Sequence, residues 1–290
     1  MENVRGMVTA PGPSGEPGEA LELVREAFEG IKYATTFLVL NAADFGVPQR
    51  RVRLFMMATR GSPLPIFPTP THAEFAADRS IHPWVPLRDF LSAQSPASPE
   101  DVTRPTASLA TKLDAIPAGS GLKSPGAREA TRPGGHWGYK QGTFIADLGR
   151  PARTVTAAGT QDWIRWDGDL RRLTWREVAS LQGFPPGWEF EGNKASRFRQ
   201  IGNAVPAIFG KVLGTQIIDA LSRWRAAPTC SAPWPASFVE AVEYTRRERK
   251  RNGASRAAAR EAAASGSRSA HKLKGLGKGG KHTTPAKSAA

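Results

Sequence analysis

The stretch Leu170–Val212 reads LRRLTWREVASLQGFPPGWEFEGNKASRFRQIGNAVPAIFGKV. Thr174 and Glu177 stand three apart, just ahead of an apolar run. At that spacing each side chain satisfies the other residue's free amide at a helix start. Val178 and Leu181 give this helix an apolar side, and Gly183 is placed to end it. Phe184-Pro185-Pro186-Gly187-Trp188 then forces a rigid bend. A second helix is expected to be entered through Gly202-Asn203, with Pro206 in its first turn. Val205, Ile208, Phe209, Val212, Leu213 and Ile217 follow at helical spacing, and the helix should end near Trp224. Capping and packing account for these residues. They do not account for Gln200 and Asn203, polar groups set where backbone turns into helix. For Asn203, helix capping and ligand contact are compatible roles.

A chain of 290 residues makes one or two domains, and 40% hydrophobic residues suffice for a core. There is no run of 18 apolar residues and no basic-then-apolar leader, so neither a membrane span nor a membrane partner is expected. The single cysteine, Cys230, excludes an internal disulfide and fits a reducing compartment, so a cytoplasmic location is expected. The net charge of +14 is unevenly placed. From Thr245 to Ala290 there are thirteen Lys and Arg against two Glu. Such a tail attracts phosphate backbones without reading sequence, or is simply a solvated, disordered end.

The chain opens on Glu2-Asn3-Val4. Residues 20–30 (ALELVREAFEG) have the spacing of an amphipathic helix stopped by Gly30, and Tyr33–Leu40 reads as a strand. Next comes NAADFGVPQRRVR (residues 41–53), then an apolar strand from Leu54. Gly46 and Pro48 shape a turn. Arg51 and Arg53 stand at the start of the strand, where guanidinium groups suit a base carbonyl or a phosphate, or merely blunt a strand edge. Residues 61–169 are irregular and Pro-rich. Trp137, Tyr139 and Lys140 lie in a Gly- and aromatic-rich loop, suited to reaching base edges or to ordinary packing. Residues 151–156 (PARTVT) read as a strand. His72, His82 and His136 lack metal-ligand spacing, so no metal site is expected. Phe238–Lys250 reads as a short helix, and the bias beyond Asn252 argues for disorder.

The wording of three blocks is specific, and a fourth of three letters accompanies them. RRLTWREVASLQGFP followed by RQIGNAVP resembles the last two blocks of the DNA (cytosine-5-)-methyltransferase family. NAADFGVPQRRVR resembles its eighth block, and Glu2-Asn3-Val4 the block that closes a central strand. The resemblance implies an α/β fold: the C-terminal part of a Rossmann-like S-adenosylmethionine-dependent methyltransferase domain, with an inserted small, irregular target recognition domain. It divides the chain into the back part of the catalytic domain (1–60), the recognition domain (61–169), a return to the catalytic domain (170–225), and a loop with a basic tail (226–290).

By the same resemblance, Glu2 hydrogen-bonds N3 and the amino group of a flipped-out cytosine in double-stranded DNA. Arg53 holds its O2, and Arg51 supports the base or its loop. Asn203, Ala204 by its backbone, and Gln200 lie beside S-adenosyl-L-methionine. The resemblance covers only the second half of the family pattern. No Phe-x-Gly-x-Gly loop and no Pro-Cys nucleophile occur, and Cys230 lies after the last block. The chain alone is therefore expected not to methylate DNA. It is expected to be one part of a split enzyme completed by a separate subunit with the front blocks, a truncated or mis-started product, or a non-catalytic DNA-binding derivative. Protection of host DNA against a restriction nuclease, marking of phage DNA and control of expression all remain open, as does the recognition sequence.

Overall fold

The computed structural model describes residues 1–61, 63–76, 80–126, 142–222 and 230–275, with side chains in the last segment as far as Ser255. In chain order the elements are β1 (Glu2–Val4), α1 (Glu19–Gly30), β2 (Ala34–Asn41), β3 (Val52–Thr59), β4 (His72–Ala73), β5 (His82–Pro83), α2 (Leu87–Ser92) and α3 (Ala107–Asp114). They continue with β6 (Ser120–Gly121), β7 (Phe144–Ile145), β8 (Trp163–Trp166), β9 (Asp169–Arg172), α4 (Trp175–Leu181), α5 (Lys194–Asn203), α6 (Ala207–Ser222) and α7 (Ala236–Gly275). Residues 1–242 form one compact unit and residues 243–290 a second.

The first sheet runs β1-β3-β2, antiparallel throughout. Period-two alternation gives β2 and β3 two apolar faces. Phe37, Leu54 and Met56 point into one core with Val8, Leu21, Phe238 and Ala241, so α1 and the root of α7 cover that face. Leu40 and Phe55 point the other way, against Phe45 and Phe209, so α6 covers the second face. The result is a helix–sheet–helix sandwich. The turn between β2 and β3 is set locally. Asn41 accepts from the Ala43 amide, and Gly46 sits at φ 84°, a left-handed position that only glycine takes without strain.

The second sheet runs β6-β7-β8-β9. Ile164 of β8 faces a large core with Leu87, Leu91, Trp175, Val178, Leu181, Phe198 and Ile201. Its neighbour Trp163 faces the opposite way, toward Leu113, Ile116 and Ile145. Strand β9 spans residues 169–172, so the sheet runs through the expected boundary between recognition domain and catalytic return.

Helix α4 begins and ends as its sequence dictates. Thr174 and Glu177 form the reciprocal capping box. At the other end the Phe184 amide reaches Ala179 O and the Gly183 amide reaches Ser180 O, with Gly183 at φ 81°. This left-handed ending satisfies two carbonyls that the helix leaves free. Glu177 also meets Arg171 at 2.7 Å, both side chains 6% exposed.

Three expectations are corrected. The helix entered through Gly202-Asn203 is two helices: α5, capped by Asn193, ends at Asn203, and α6 begins at Ala207. Asn203 is therefore a last-turn residue and not an N-cap. The stretch Lys194–Ser222 is long and apolar enough to cross a membrane by length and composition. In the fold it breaks between α5 and α6, and Phe198, Ile201 and Phe209 are buried. Second, PARTVT is no strand. A single parallel bridge joins Ala152 to Gln49, because the chain bends away after one exchange of amides with Pro48 and Arg50. Third, the segment expected to be disordered beyond Asn252 continues α7 to Gly275. Its Ala, Arg and Lys content has high helix propensity, which outweighs the Gly and Ser that suggested disorder; residues 276–290 lie outside the described residues.

Four distant segments are stitched together by buried polar side chains. Gln49 is fully buried; its amide donates to Gln182 Oε1 at 3.1 Å and accepts from the Val155 amide at 2.9 Å. Gln182 in turn donates to Ile201 O at 2.8 Å. Arg51, 2% exposed, donates to Val155 O (3.1 Å), Gly202 O (3.0 Å) and Ala204 O (2.9 Å). Gly202 permits the contact: a Cβ there would lie 2.3 Å from Ala157 N and from Thr156 C.

Arg51→Met takes a donor from three carbonyls, of which Ala204 O keeps a longer bond from Gln182. At roughly 1–3 kcal/mol for each buried group left unsatisfied, it should lower the unfolding free energy by about 3 kcal/mol or more. Arg53→Met should cost less than half of that, and Gly202→Ala about 2 kcal/mol through overpacking. Urea unfolding followed by tryptophan fluorescence measures all three, and equal losses for the two arginines would refute the seam. A second consequence concerns the surface. Val205, Ile217, Ile218 and Leu221 are 40–69% exposed around α6, and β1 has no strand on its outer edge among the described residues. The isolated chain should bind the dye anilinonaphthalene sulfonate and self-associate, and Ile217→Glu with Ile218→Glu should suppress both in size-exclusion chromatography. A monomeric chain that binds no dye would contradict this.

Candidate active site

Strand register brings Glu2 and Arg53 together. Glu2 stands opposite Phe55 and Val4 opposite Arg53, so Glu2, Val4, Arg53 and Phe55 share one face of the sheet. On that face Arg53 Nε meets Glu2 Oε1 at 2.9 Å, with the side chains 15% and 28% exposed. The Arg53 guanidinium also donates to Val52 O at 2.8 Å, which holds its stem along the strand.

Arg53, but not Glu2, lines a cavity of about 490 Å³, within the range of small-molecule sites. Arg53, Thr154, Thr156, Gln161, Asp162 and Asn203 supply its polar wall, and Val4, Val52, Leu87 and Val155 its apolar one. The wall is built by the stitching described above. The Thr154 hydroxyl donates to Arg50 O at 2.8 Å, and the Gln161 amide donates to Thr156 O at 3.0 Å. Arg153 meets Asp162 at 3.3 Å and lies over the Phe144 ring at 4.2 Å.

Arg51 and Arg53, two residues apart, have separate positions. Arg53 faces the cavity. Arg51 precedes β3, points into the protein, and ends on three carbonyl oxygens. Burial, with the Arg53 charge, pushes its pKa down to about 10, while Glu2 opposes the shift. It stays charged at neutral pH because carbonyl dipoles replace its water. Arg51 is thus held inside the protein by three carbonyls and does not line the cavity.

The three residues expected beside a cofactor also part company. Asn203 is exposed and lines the cavity. Ala204 gives its carbonyl to Arg51 and to Gln182. The Gln200 amide is turned away, donating to Glu191 O at 2.8 Å and to Ser196. It ties α5 to the preceding turn and does not line the cavity. Trp137, Tyr139 and Lys140 lie outside the described residues. Cys230 is exposed and free.

Sequence reading missed Gln49, Gln182, Thr154, Thr156 and Gln161. The Thr-x-Thr spacing of 154–156 was the available signal, since it puts two hydroxyls on one side of an extended chain. Gln49 and Gln182 gave none: a buried amide is recognised only once its partner is in place. Asp44, within the eighth-block turn, was also passed over. It accepts from the Trp84 indole at 2.9 Å, and burial raises its carboxyl above the usual range while that bond opposes the rise.

Comparison with known proteins identifies the family. The family model for the C-5 cytosine-specific DNA methylase matches residues 1–219. The chain is 30% identical over 237 residues to the Type II methyltransferase M.AplI of Arthrospira platensis, covering 79% of this chain and 58% of that protein. It is 31% identical over 230 residues to the Type II methyltransferase M.NaeI of Lentzea aerocolonigenes, covering 77% and 49%. The chain thus spans about half the length of these relatives. Its fold is similar to the crystal structure of S. pombe Dnmt2 methyltransferase, with a TM-score of 0.50 and 16% identity over 76% of this chain and 65% of that one. An eighth-block turn, a paired Glu2 and Arg53 and a family match over three quarters of the residues lead to one conclusion: the chain belongs to the C-5 cytosine-specific DNA methylase family.

Proposed function

We propose that these 290 residues form the base-holding part of a DNA cytosine-5 methyltransferase, acting on cytosine in duplex DNA with S-adenosyl-L-methionine as methyl donor. The Glu2–Arg53 pair beside the cavity carries the reading. A cytosine ring presents O2, N3 and an exocyclic amine along one edge. A guanidinium donates to O2, and a carboxyl group matches N3 and the amine. When the base enters, Glu2 and Arg53 exchange their contact with each other for contacts with its edge. A proton shared between Glu2 and N3 makes the ring electrophilic. A guanidinium fixed by β3 holds the base against rotation, and Thr154 and Thr156 line the wall beside it.

S-adenosyl-L-methionine supplies an electrophilic methyl group when bound. Asn203 fits a part in holding it: its amide lines the cavity beside a backbone that Gly202 packs against residues 156–157. The other two expected contacts are occupied inside the protein, so most of that binding site belongs to other residues. The same holds for the nucleophile. The reaction needs a thiolate at C6 of the base. Cys230 lies beyond the family-matched residues. We therefore read the active enzyme as this chain together with a polypeptide bearing the front blocks of the family, as a preceding segment or a separate subunit.

Mixing the chain with such a polypeptide, radiolabelled S-adenosylmethionine and a mixed-sequence duplex should label C5 of cytosine, while the chain alone should label nothing. Glu2→Gln should lower the reconstituted rate by about 10²-fold or more, the scale of positioned acid–base groups. Arg53→Ala should do the same by loss of a charge-stabilising donor. Both variants should keep the far-ultraviolet circular dichroism of the parent. Activity of the unmixed chain, or label on another atom, would sink this reading.

A further inference from the structure

Helix α7 lies beyond the family-matched residues, which end at 219, and nothing in the site above uses it. We propose that α7 is a DNA arm: a cationic helix that grips the phosphate backbone of duplex DNA without reading its sequence. Its root is built into the first unit. Phe238 and Ala241, 4% and 5% exposed, pack with Phe37, Leu54 and Met56, and Trp234 lies 4.9 Å from the Phe37 ring. Leu54 belongs to β3, so the root of the helix, within the first unit, packs on that strand.

Beyond the root the charge is mainly positive. Arg246, Arg247, Arg249, Lys250 and Arg251 fall within six residues, and Glu248 between them pairs with Arg251 at 2.6 Å. Arg246 with Lys250, and Arg247 with Arg251, stand four apart, and the sequence repeats that spacing at Arg256 and Arg260. Like charges at that spacing destabilise an isolated helix. A polyanion along the helix removes the repulsion and releases its own counterions, which favours binding. A membrane is the poorer match. From Glu243 to Gly275 the large apolar or aromatic side chains are Tyr244 and Leu273, too few for the apolar face that an interfacial helix inserts. The choice of duplex DNA over other polyanions rests on the methyltransferase reading.

The test uses the full chain, without cofactor, and a fluorescent 24-base-pair duplex of adenine and thymine alone. That probe cannot be methylated at cytosine, so the outcome is independent of catalysis. Anisotropy is recorded from 50 to 300 mM KCl for the parent and for a variant with Arg246, Arg247, Lys250, Arg256 and Arg260 all changed to Gln, a residue of similar helix propensity. The variant should bind about tenfold or more weakly at 100 mM KCl. Its plot of log Kd against log salt should be shallower by about 3 or more, at about 0.9 for each phosphate that the arm no longer neutralises. Circular dichroism should show helix content rising when duplex is added to the parent and not to the variant, while the urea midpoint of both is the same. A change in that midpoint moves the comparison to the parent and a chain ending at Ser255, with the same expectations. Equal affinity and equal slope would overturn the arm, and so would tighter binding to phosphatidylserine vesicles than to the duplex. Failure of methyl transfer in the reconstituted enzyme, with this salt dependence intact, would count against the catalytic reading and leave the arm standing.

Discussion

The buried contact between Gln49 and Gln182 holds the site in one piece. Residues 49, 155, 182 and 201–204 lie far apart in the sequence, yet two amides and one guanidinium join them. Each of these side chains is almost fully buried. A buried polar group that loses its partner costs about 1–3 kcal/mol, so each bond lost weakens the network. These bonds hold residues 155 and 201–204 in place, beside Thr154, Thr156 and Asn203 on the cavity wall. An apolar seam of the same area would allow small slides, whereas directed hydrogen bonds to named carbonyls do not.

The two arginines of the eighth block show how the same side chain takes two roles over two residues. Arg53 lies on the pleat of β3, on the face with Phe55, and its direction follows from register. Arg51 lies before the strand begins, so strand geometry does not govern it. It turns inward because three carbonyls at 155, 202 and 204 offer an environment that stands in for water. The buried arginine keeps the wall fixed, and Arg53 faces the cavity.

Much of this was legible in the sequence, and the limits have physical causes. The capping box of α4, the glycine that ends it and the strands β2 and β3 were readable because each is specified by residues a few positions apart. Glu2 and Arg53 were identified by wording, and only pairing between strands brought them to 2.9 Å. Helix α5 was missed because its outward residues are polar and its apolar contacts, Phe198 and Ile201, are few. PARTVT has strand composition, but its partner at Gln49 offers a single exchange before the chains diverge. Gln200 was singled out for its polarity at a helix end, and that polarity is spent on Glu191 and Ser196. In each miss, a local signal was overridden by a partner elsewhere in the chain.

The position of Glu2 carries a last consequence. A group that meets a base edge must be held to within about half an ångström, which calls for support from both sides. Strand β1 is three residues long and pairs with β3 on one side. Met1 and Met56 exchange both backbone hydrogen bonds, so the alternation of an antiparallel ladder turns the backbone groups of Glu2 and Val4 outward. Among the described residues no strand meets that outer edge. Arg53 and a one-sided ladder are thus the restraints on the Glu2 carboxylate. Backbone that pairs along the open edge would fix the angle of Glu2 through the same atoms that complete the sheet. A β1 paired on one side only holds Glu2 beside Arg53 with less rigidity than a strand paired on both sides.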